Sequence, residues 1–401
     1  MPEAVHVISI GSDRELFNEK SAVRARMASY GSLFSSLHII VRTGRFSGFV
    51  NTQIAPNVFV YPTRTLTRLG SLSKAVKIGN RLAASLVASS GTSIPVVVSG
   101  QDPFELGYCA YSIAKKNNAA LHLQLHTDPF APAFARGILN RIRIRIMRGL
   151  LPHAHAIRVV SPILKDVLVE KYHLKEERIS VLPVYAPMQK FTSMESVPAQ
   201  HYFQTKYPQF DRVVLVASRL SPEKNIGVAI RAFARVAADF PRTGLCIVGK
   251  GKQLWKLRLL VRFLRLSDVV VFAPWQNDLR QMYRDAAIFL QTSRFEGFGL
   301  TLLEAGVCGL PVVTTRVGIA HNFVSKTDAY VCAVGDVSCL ASSLREVLSD
   351  TATQKRLGVS LRKAVARYEI SEADYLRQYQ AGVLLCFPLL SISREVKEKV
   401  Q

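Results

Sequence analysis

An apolar run over residues 286–292 leads into a loop bearing Gly297 and Gly299, then into residues 301–307, which are apolar and rich in helix formers. Gly309 and Pro311 stop that helix, and Val312 and Val313 open a second apolar run. A short run with no polar alternation fits a parallel strand covered on both faces. Strand, glycine loop, helix and strand thus follow one another within thirty residues, and the fold class that takes such a unit is α/β. The glycines fall where a strand ends and a helix begins. There, free backbone N–H groups and the helix dipole favour an anion.

Two glutamates bracket this turn. Glu296 lies in the loop, and Glu304 lies on the helix five residues past Gly299, roughly 7–8 Å along its axis at 1.5 Å per residue. A phosphate at the helix mouth would bring a ribose near Glu304 and a sugar near Glu296. Carboxylates suit both tasks because each ionised group accepts two hydroxyl hydrogen bonds. Spacing alone describes two solvated glutamates around a tight turn equally well.

The alternation recurs along the chain. Strands are expected at residues 5–10, 37–41, 58–61, 95–98 and 120–125, with helices over 72–88 and 104–117. A second series begins at residue 213: strand, helix 226–239, strand 245–248, helix 253–266, strand 269–272 and helix 278–286. Repeated strand–helix order means parallel sheets with right-handed crossovers, and 401 residues suffice for two domains. Pro183, Pro187, Pro198 and Pro208, with polar filler between them, mark a linker. In the first half, three strand ends carry Gly11-Ser12-Asp13, Gly100-Gln101-Asp102 and His126-Thr127-Asp128. Open α/β sheets bind their ligands at such ends.

The stretch SRFEGFGLTLLEAGVCGLPVVTT, with its Glu296-x7-Glu304 spacing, resembles the signature of the family 4 (group 1) glycosyltransferases. Residues 214–225 resemble the first strand and loop of that family's donor domain, and Ile247-Val248-Gly249-Lys250-Gly251 its VGxG turn. The likeness is strong over residues 212–320 and weaker but continuous over the N-terminal half. It implies two Rossmann-like domains facing across a cleft, the GT-B architecture. Residues 1–187 would form the acceptor side, 188–211 the linker and 212–371 the donor side, with a late helix, about 372–401, returning to the first domain.

The resemblance also implies roles. The reaction would be retaining, with a nucleotide-diphosphate sugar as donor, a glycan or lipid-linked acceptor, no cofactor and no obligatory metal. Arg219 and Lys224 would clamp the diphosphate and stabilise charge on the departing phosphate. Backbone N–H groups at Phe298, Gly299 and Leu300 would assist. Glu296 would hold sugar hydroxyls and Glu304 the ribose, with the base near Gly249, Gly251 and residues 273–275. His126 would lie beside the transferred sugar, and Asp128 would touch the acceptor. Many members carry a glycine pair in the first loop; here Gly11 stands alone, still able to let backbone approach the donor. A nucleotide-sugar epimerase of the same fold and a non-catalytic membrane scaffold are the alternatives.

Composition bears on partners. Lys and Arg number 52 against 29 Asp and Glu, a formal net charge of +23, which favours anionic partners. No nucleic-acid module is recognisable, so nucleic acid is disfavoured. Residues 135–150 hold Arg136, Arg141, Arg143, Arg145 and Arg148 with no acid. On a helix, Ile138, Ile142, Ile146 and Leu150 form one stripe beside Arg141, Arg145 and Arg148. Such a helix suits anionic lipid headgroups, or else packs on the sheet with a solvated arginine edge. A second acid-free stretch, residues 250–265, is expected to cover the donor-side sheet, and its charge to reinforce membrane approach or draw in an anionic nucleotide sugar.

Six cysteines without a CxxC pair read as buried free thiols in a reducing compartment, with neither a zinc site nor a disulfide. The N-terminus reads as a strand rather than a signal peptide. No apolar run reaches the roughly 18–20 residues of a spanning helix. The expected location is the cytoplasm, at the inner membrane face.

Overall fold

The structure is a computed structural model, and it describes residues 3–90, 94–192 and 202–387. The chain divides into two compact units. One comprises Met1–Pro183 with Glu372–Gln401; the other is Val184–Ser371.

The first unit holds strands β1 (Glu3–Gly11), β2 (Phe34–Val41), β3 (Thr52–Ala55), β4 (Val58–Pro62), β5 (Val96–Gly100), β6 (Ala120–Leu125), β7 (Ala156–Val159) and β8 (Ile179–Val181). They form one sheet in the order β3-β4-β2-β1-β5-β6-β7-β8. All pairings are parallel except β3 with β4. The short edge strand β3 was not expected; its residues, Thr-Gln-Ile-Ala, are too few to show a period. Burial on both faces explains the apolar strands: β5 and β6 are buried along their whole length.

The helix Glu372–Leu384 packs on β7. Its Tyr379 ring stacks on Tyr30 at 4.3 Å, and the Tyr375 hydroxyl meets that of Tyr30 at 3.2 Å. Arg158, buried on β7, donates to the Tyr375 hydroxyl at 2.7 Å and to the Leu182 and Pro183 carbonyls. Its guanidinium also lies over the Tyr379 ring at 5.3 Å. Hydrogen bonds and π faces thus compensate a desolvated cation. Residues 388–401 of the expected late helix lie outside the described residues.

The second unit holds β9 (Arg212–Ala217), β10 (Thr243–Val248), β11 (Val270–Ala273), β12 (Ile288–Gln291), β13 (Val312–Thr315) and β14 (Tyr330–Cys332) in the order β11-β10-β9-β12-β13-β14, all parallel. From β9 the chain winds outward one way through β10 and β11; from β12 it winds the other way. The crevice between the carboxyl ends of β9 and β12 is therefore a topological switch point. In the first sheet the equivalent point lies between β1 and β5. Part of the expected linker, residues 193–201, lies outside the described residues; beside it stand the short helices Gln189–Thr192 and Tyr202–Lys206.

The cysteine expectation is corrected at one place. Cys332, closing β14, and Cys339, in the first turn of the helix Val337–Ser349, form a disulfide with Cα atoms 5.8 Å apart. Gly335, at φ +86°, takes the left-handed turn that folds the helix back on the strand end. A spacing of seven gives no CxxC signal, so this pair was not legible in the sequence. Cys109, Cys246 and Cys386 are buried free thiols and Cys308 is half-buried.

Candidate active site

The loop after β9 reads Ser218-Arg219-Leu220-Ser221-Pro222-Glu223-Lys224-Asn225. Pro222 opens a single 3-10 turn, Pro222–Lys224, and Asn225 ends it in the left-handed region at φ +53°, a conformation asparagine tolerates. The helix Ile226–Ala234 starts at once. This geometry delivers Lys224 across to the end of β12, where its Nζ lies 2.5 Å from Glu296 Oε1. The Ser293 hydroxyl donates to the same oxygen at 2.7 Å. Both charged side chains are largely covered, at 16% and 13% exposure. Arg219, by contrast, is exposed and pairs with Glu223 at 3.2 Å.

The two strand-end loops are tied by backbone. Arg294 N–H donates to the Glu223 carbonyl at 2.7 Å, and Thr292 Oγ1 donates to those of Lys224 and Asn225. The loop after β10 is locked to the same segment: Leu220 N–H donates to the Lys250 carbonyl, and Gln253 N–H to that of Leu220. Its glycines are needed for close approach. A Cβ on Gly249 would stand 2.0 Å from the Ser218 carbonyl oxygen, and one on Gly251 2.3 Å from that of Leu220.

Gly299, at φ +104°, is the N-cap of the helix Leu300–Val307. Phe298 turns its ring inward against Tyr368, while its carbonyl accepts from Ile319 N–H at 2.8 Å. Gly318, at φ +54°, fits beneath; a Cβ there would meet the Phe298 carbonyl oxygen at 2.2 Å. Gln291, at the end of β12, is buried beside Gly299, and neither polar atom of its amide has a hydrogen-bond partner among the described residues.

Glu304 projects from this helix into a cavity of about 350 Å³ within the second unit. The walls include Ala217, Ser218, Val248, Trp275, Asn277, Leu300 and Thr301. The fully buried Tyr283 donates its hydroxyl to Glu304 Oε2 at 2.9 Å. Desolvation raises the Glu304 pKa to about 7, despite the lowering effect of that hydrogen bond. Above the cavity, Lys250 Nζ lies 5.6 Å from the Trp275 ring centre. Neither Tyr283, on the short helix Arg280–Asp285, nor Gln291, last in β12, carries a motif signal in the sequence; only the fold brings them to the helix mouth.

In the first unit, Gly11 ends β1 against the Gln101 side chain, where a Cβ would meet Gln101 Oε1 at 2.4 Å. That contact joins the ends of β1 and β5. His126 follows β6, and its Nε2 lies 3.1 Å from Gln124 Oε1, which also accepts from Arg158. The residue is exposed to solvent. The chain packed about the ring, then the Arg158 and His122 charges, lower its pKa from 6.5, so the imidazole is neutral at pH 7. Asp128 accepts from Phe130 and Ala131 N–H, stiffening its own loop. Among the described residues no three His, Cys, Asp or Glu stand together as a metal site. No described helix is long and apolar enough to cross a membrane.

Comparison with known proteins agrees with this arrangement. The family model "Glycosyl transferases group 1" matches residues 200–364, and "Glycosyltransferase Family 4" matches residues 36–184. The chain belongs to the family 4 glycosyltransferases.

Among the curated family 4 relatives is N-acetyl-alpha-D-glucosaminyl L-malate synthase of Bacillus anthracis, 25% identical over 56% of this chain and 61% of its own length. Another is D-inositol 3-phosphate glycosyltransferase of Acidothermus cellulolyticus, 34% identical over 58% of this chain and 49% of its own. The chain thus spans about half to three-fifths of these relatives. Sucrose-phosphate synthase of Thermosynechococcus elongatus superposes with a TM-score of 0.74 at 18% identity, covering 94% of this chain and 98% of that one. Anabaena HepE, solved with UDP and glucose, gives 0.71 at 16% identity over 97% and 100%. Both share the GT-B fold, mixed α/β with two parallel-sheet domains.

Proposed function

We propose that this chain is a retaining glycosyltransferase that moves a sugar from a nucleotide-diphosphate sugar to a glycan or lipid-linked acceptor at a membrane face. One observation carries the proposal: the Lys224–Glu296 pair and the Glu304 cavity flank the same helix mouth at a topological switch point. The nucleoside would occupy the cavity, with its ribose hydroxyls on Glu304 and its base toward Val248 and Trp275. The diphosphate would meet the N–H groups opening the Leu300–Val307 helix.

Glu296 neutralises Lys224. An incoming diphosphate competes for the ammonium, which frees the Glu296 carboxylate for sugar hydroxyls. Arg219, exposed and paired with Glu223, would add a second cation. Both then stabilise the negative charge on the departing phosphate, so the cations supply what a metal would otherwise supply. The neutral His126, its Nε2–H given to Gln124, would accept one sugar hydroxyl at Nδ1, and Gly11 would let backbone approach the donor. The acceptor hydroxyl would attack from the leaving-group face and give its proton to a phosphate oxygen. The resolved UDP in HepE supports a nucleotide donor.

The test is a transfer assay with UDP- and GDP-sugars, reading nucleoside diphosphate release and the product anomer. Lys224→Ala and Glu296→Ala should each lose transfer by a factor of order 100 or more while still unfolding cooperatively, at a melting temperature lowered by the charge each leaves unpaired. Full turnover in both variants, or an inverted anomer, would refute the assignment.

A further inference from the structure

The helix Leu254–Phe263 lies in the acid-free stretch expected to cover its sheet and, through its charge, to reinforce membrane approach or draw in an anionic donor. Its inner face covers the sheet: Leu257 and Val261 are buried, and Leu254, Leu260 and Leu264 pack against the same core. Its outer face is not the polar surface such a helix ordinarily presents. Trp255, Leu259 and Phe263, spaced by four, project outward at 60%, 57% and 83% exposure. Scattered exposed apolar residues need no explanation, but an aligned Trp-Leu-Phe stripe does.

The residues beside that stripe are all basic. Lys252, Lys256, Arg258, Arg262 and Arg265 are exposed, and residues 250–265 contain no acid. None of these five forms an ion pair with another described residue, although fully exposed acid–base pairs occur elsewhere, such as Arg242 with Asp211. A shallow groove of about 680 Å³ runs along the helix, lined by Gly251, Lys252, Trp255, Arg258, Leu259 and Arg262. Apolar and cationic groups share its walls.

We infer that the outer face of the Leu254–Phe263 helix is a docking surface for an anionic phospholipid bilayer. The chemistry matches on both counts. Trp and Phe settle at the headgroup level, with apolar bodies toward the acyl chains. Flanking Lys and Arg meet lipid phosphates, and long basic side chains reach around an apolar stripe to do so. A protein partner would have to bury Trp255 and Phe263 while supplying acids for five unpaired cations. A second copy of this chain, at +23, brings cations to cations. This surface lies on the second unit, distinct from the arginine-rich helix Ile138–Leu150 of the first. It extends the membrane reading above but does not depend on sugar transfer.

The test uses the full chain and vesicles of phosphatidylglycerol or of phosphatidylcholine. In a Trp275→Phe background Trp255 is the sole tryptophan, so quenching by brominated lipid reports this face alone. Brominated phosphatidylglycerol should quench it and brominated phosphatidylcholine should not. Trp255→Ser/Leu259→Ser/Phe263→Ser, made in the otherwise native chain, should lower partition into anionic vesicles on the order of a hundredfold. Its thermal shift by nucleoside diphosphate should stay as in the native chain, which also shows that the variant folds. Anionic vesicles that leave Trp255 unquenched would overturn the inference, even if the protein floats with them through another face. So would a triple serine variant that partitions like the native chain, or a stripe whose loss abolishes a dimer rather than vesicle binding.

Discussion

Glu304 is the carboxylate of the site whose chemistry its surroundings change. Its folded pKa, about 7, stands above the ordinary 4.5, so the folded protein holds a proton that the unfolded chain releases. Its contribution to stability is therefore fully present below pH 4.5 and is lost as pH rises through 7. Glu304→Gln should melt higher than wild type at pH 8, by roughly 1–3 kcal/mol, and match it near pH 4; calorimetry at both values checks this. Ribose hydroxyls favour the ionised form, so nucleotide affinity in the wild type should rise between pH 6 and 8, with proton uptake by buffer on binding. Affinity independent of pH in that window would remove Glu304 from the site. Gln291 gives a second case. Two unpartnered buried amide atoms cost stability, so Gln291→Met, of similar volume, should raise stability by about 1 kcal/mol in denaturant titration.

Elements show where sequence sufficed and where it did not. The strand–loop–helix unit around Glu296 was legible because three signals coincide: a largely apolar run, a glycine pair in the loop, with Gly299 at φ +104°, and an apolar helix. The 250–265 stretch was half legible. Its inner stripe follows from helical spacing, but hydrophobicity alone could not tell that Trp255 and Phe263 face away from the core. The arginine-rich helix behaves similarly. Ile138 and Ile142 are exposed while Met147 and Leu150 are buried, and Arg143 is held by Glu105 at 3.0 Å. A partner 38 residues away is invisible to local spacing. The Cys332–Cys339 bond was missed because only the Gly335 turn brings the two together. Replacing both cysteines by alanine should cost about 2 kcal/mol, read by denaturant titration beside a non-reducing mass measurement. Gly251→Ala tests the loop packing: with a Cβ 2.3 Å from the Leu220 carbonyl, it should destabilise the second unit by about 2–3 kcal/mol and weaken nucleotide binding.

Over the whole molecule, two parallel sheets each reverse their winding once, and each reversal gathers its chemistry at strand carboxyl ends. Gly11 and Gln101 meet at one; Lys224 and Glu296 meet at the other. The α/β class and its two sheets could be read from alternation and motif, whereas the strand order that creates each switch point could not. The decisive measurement is a thermal-shift titration of the wild type and of Lys224→Ala with UDP and with GDP. A diphosphate held at the mouth of the Leu300–Val307 helix should stabilise the wild type by about 2.7 kcal/mol at 100 times its dissociation constant, and most of that gain should vanish in Lys224→Ala. Equal stabilisation of both proteins, or none of the wild type by either nucleotide, would contradict it.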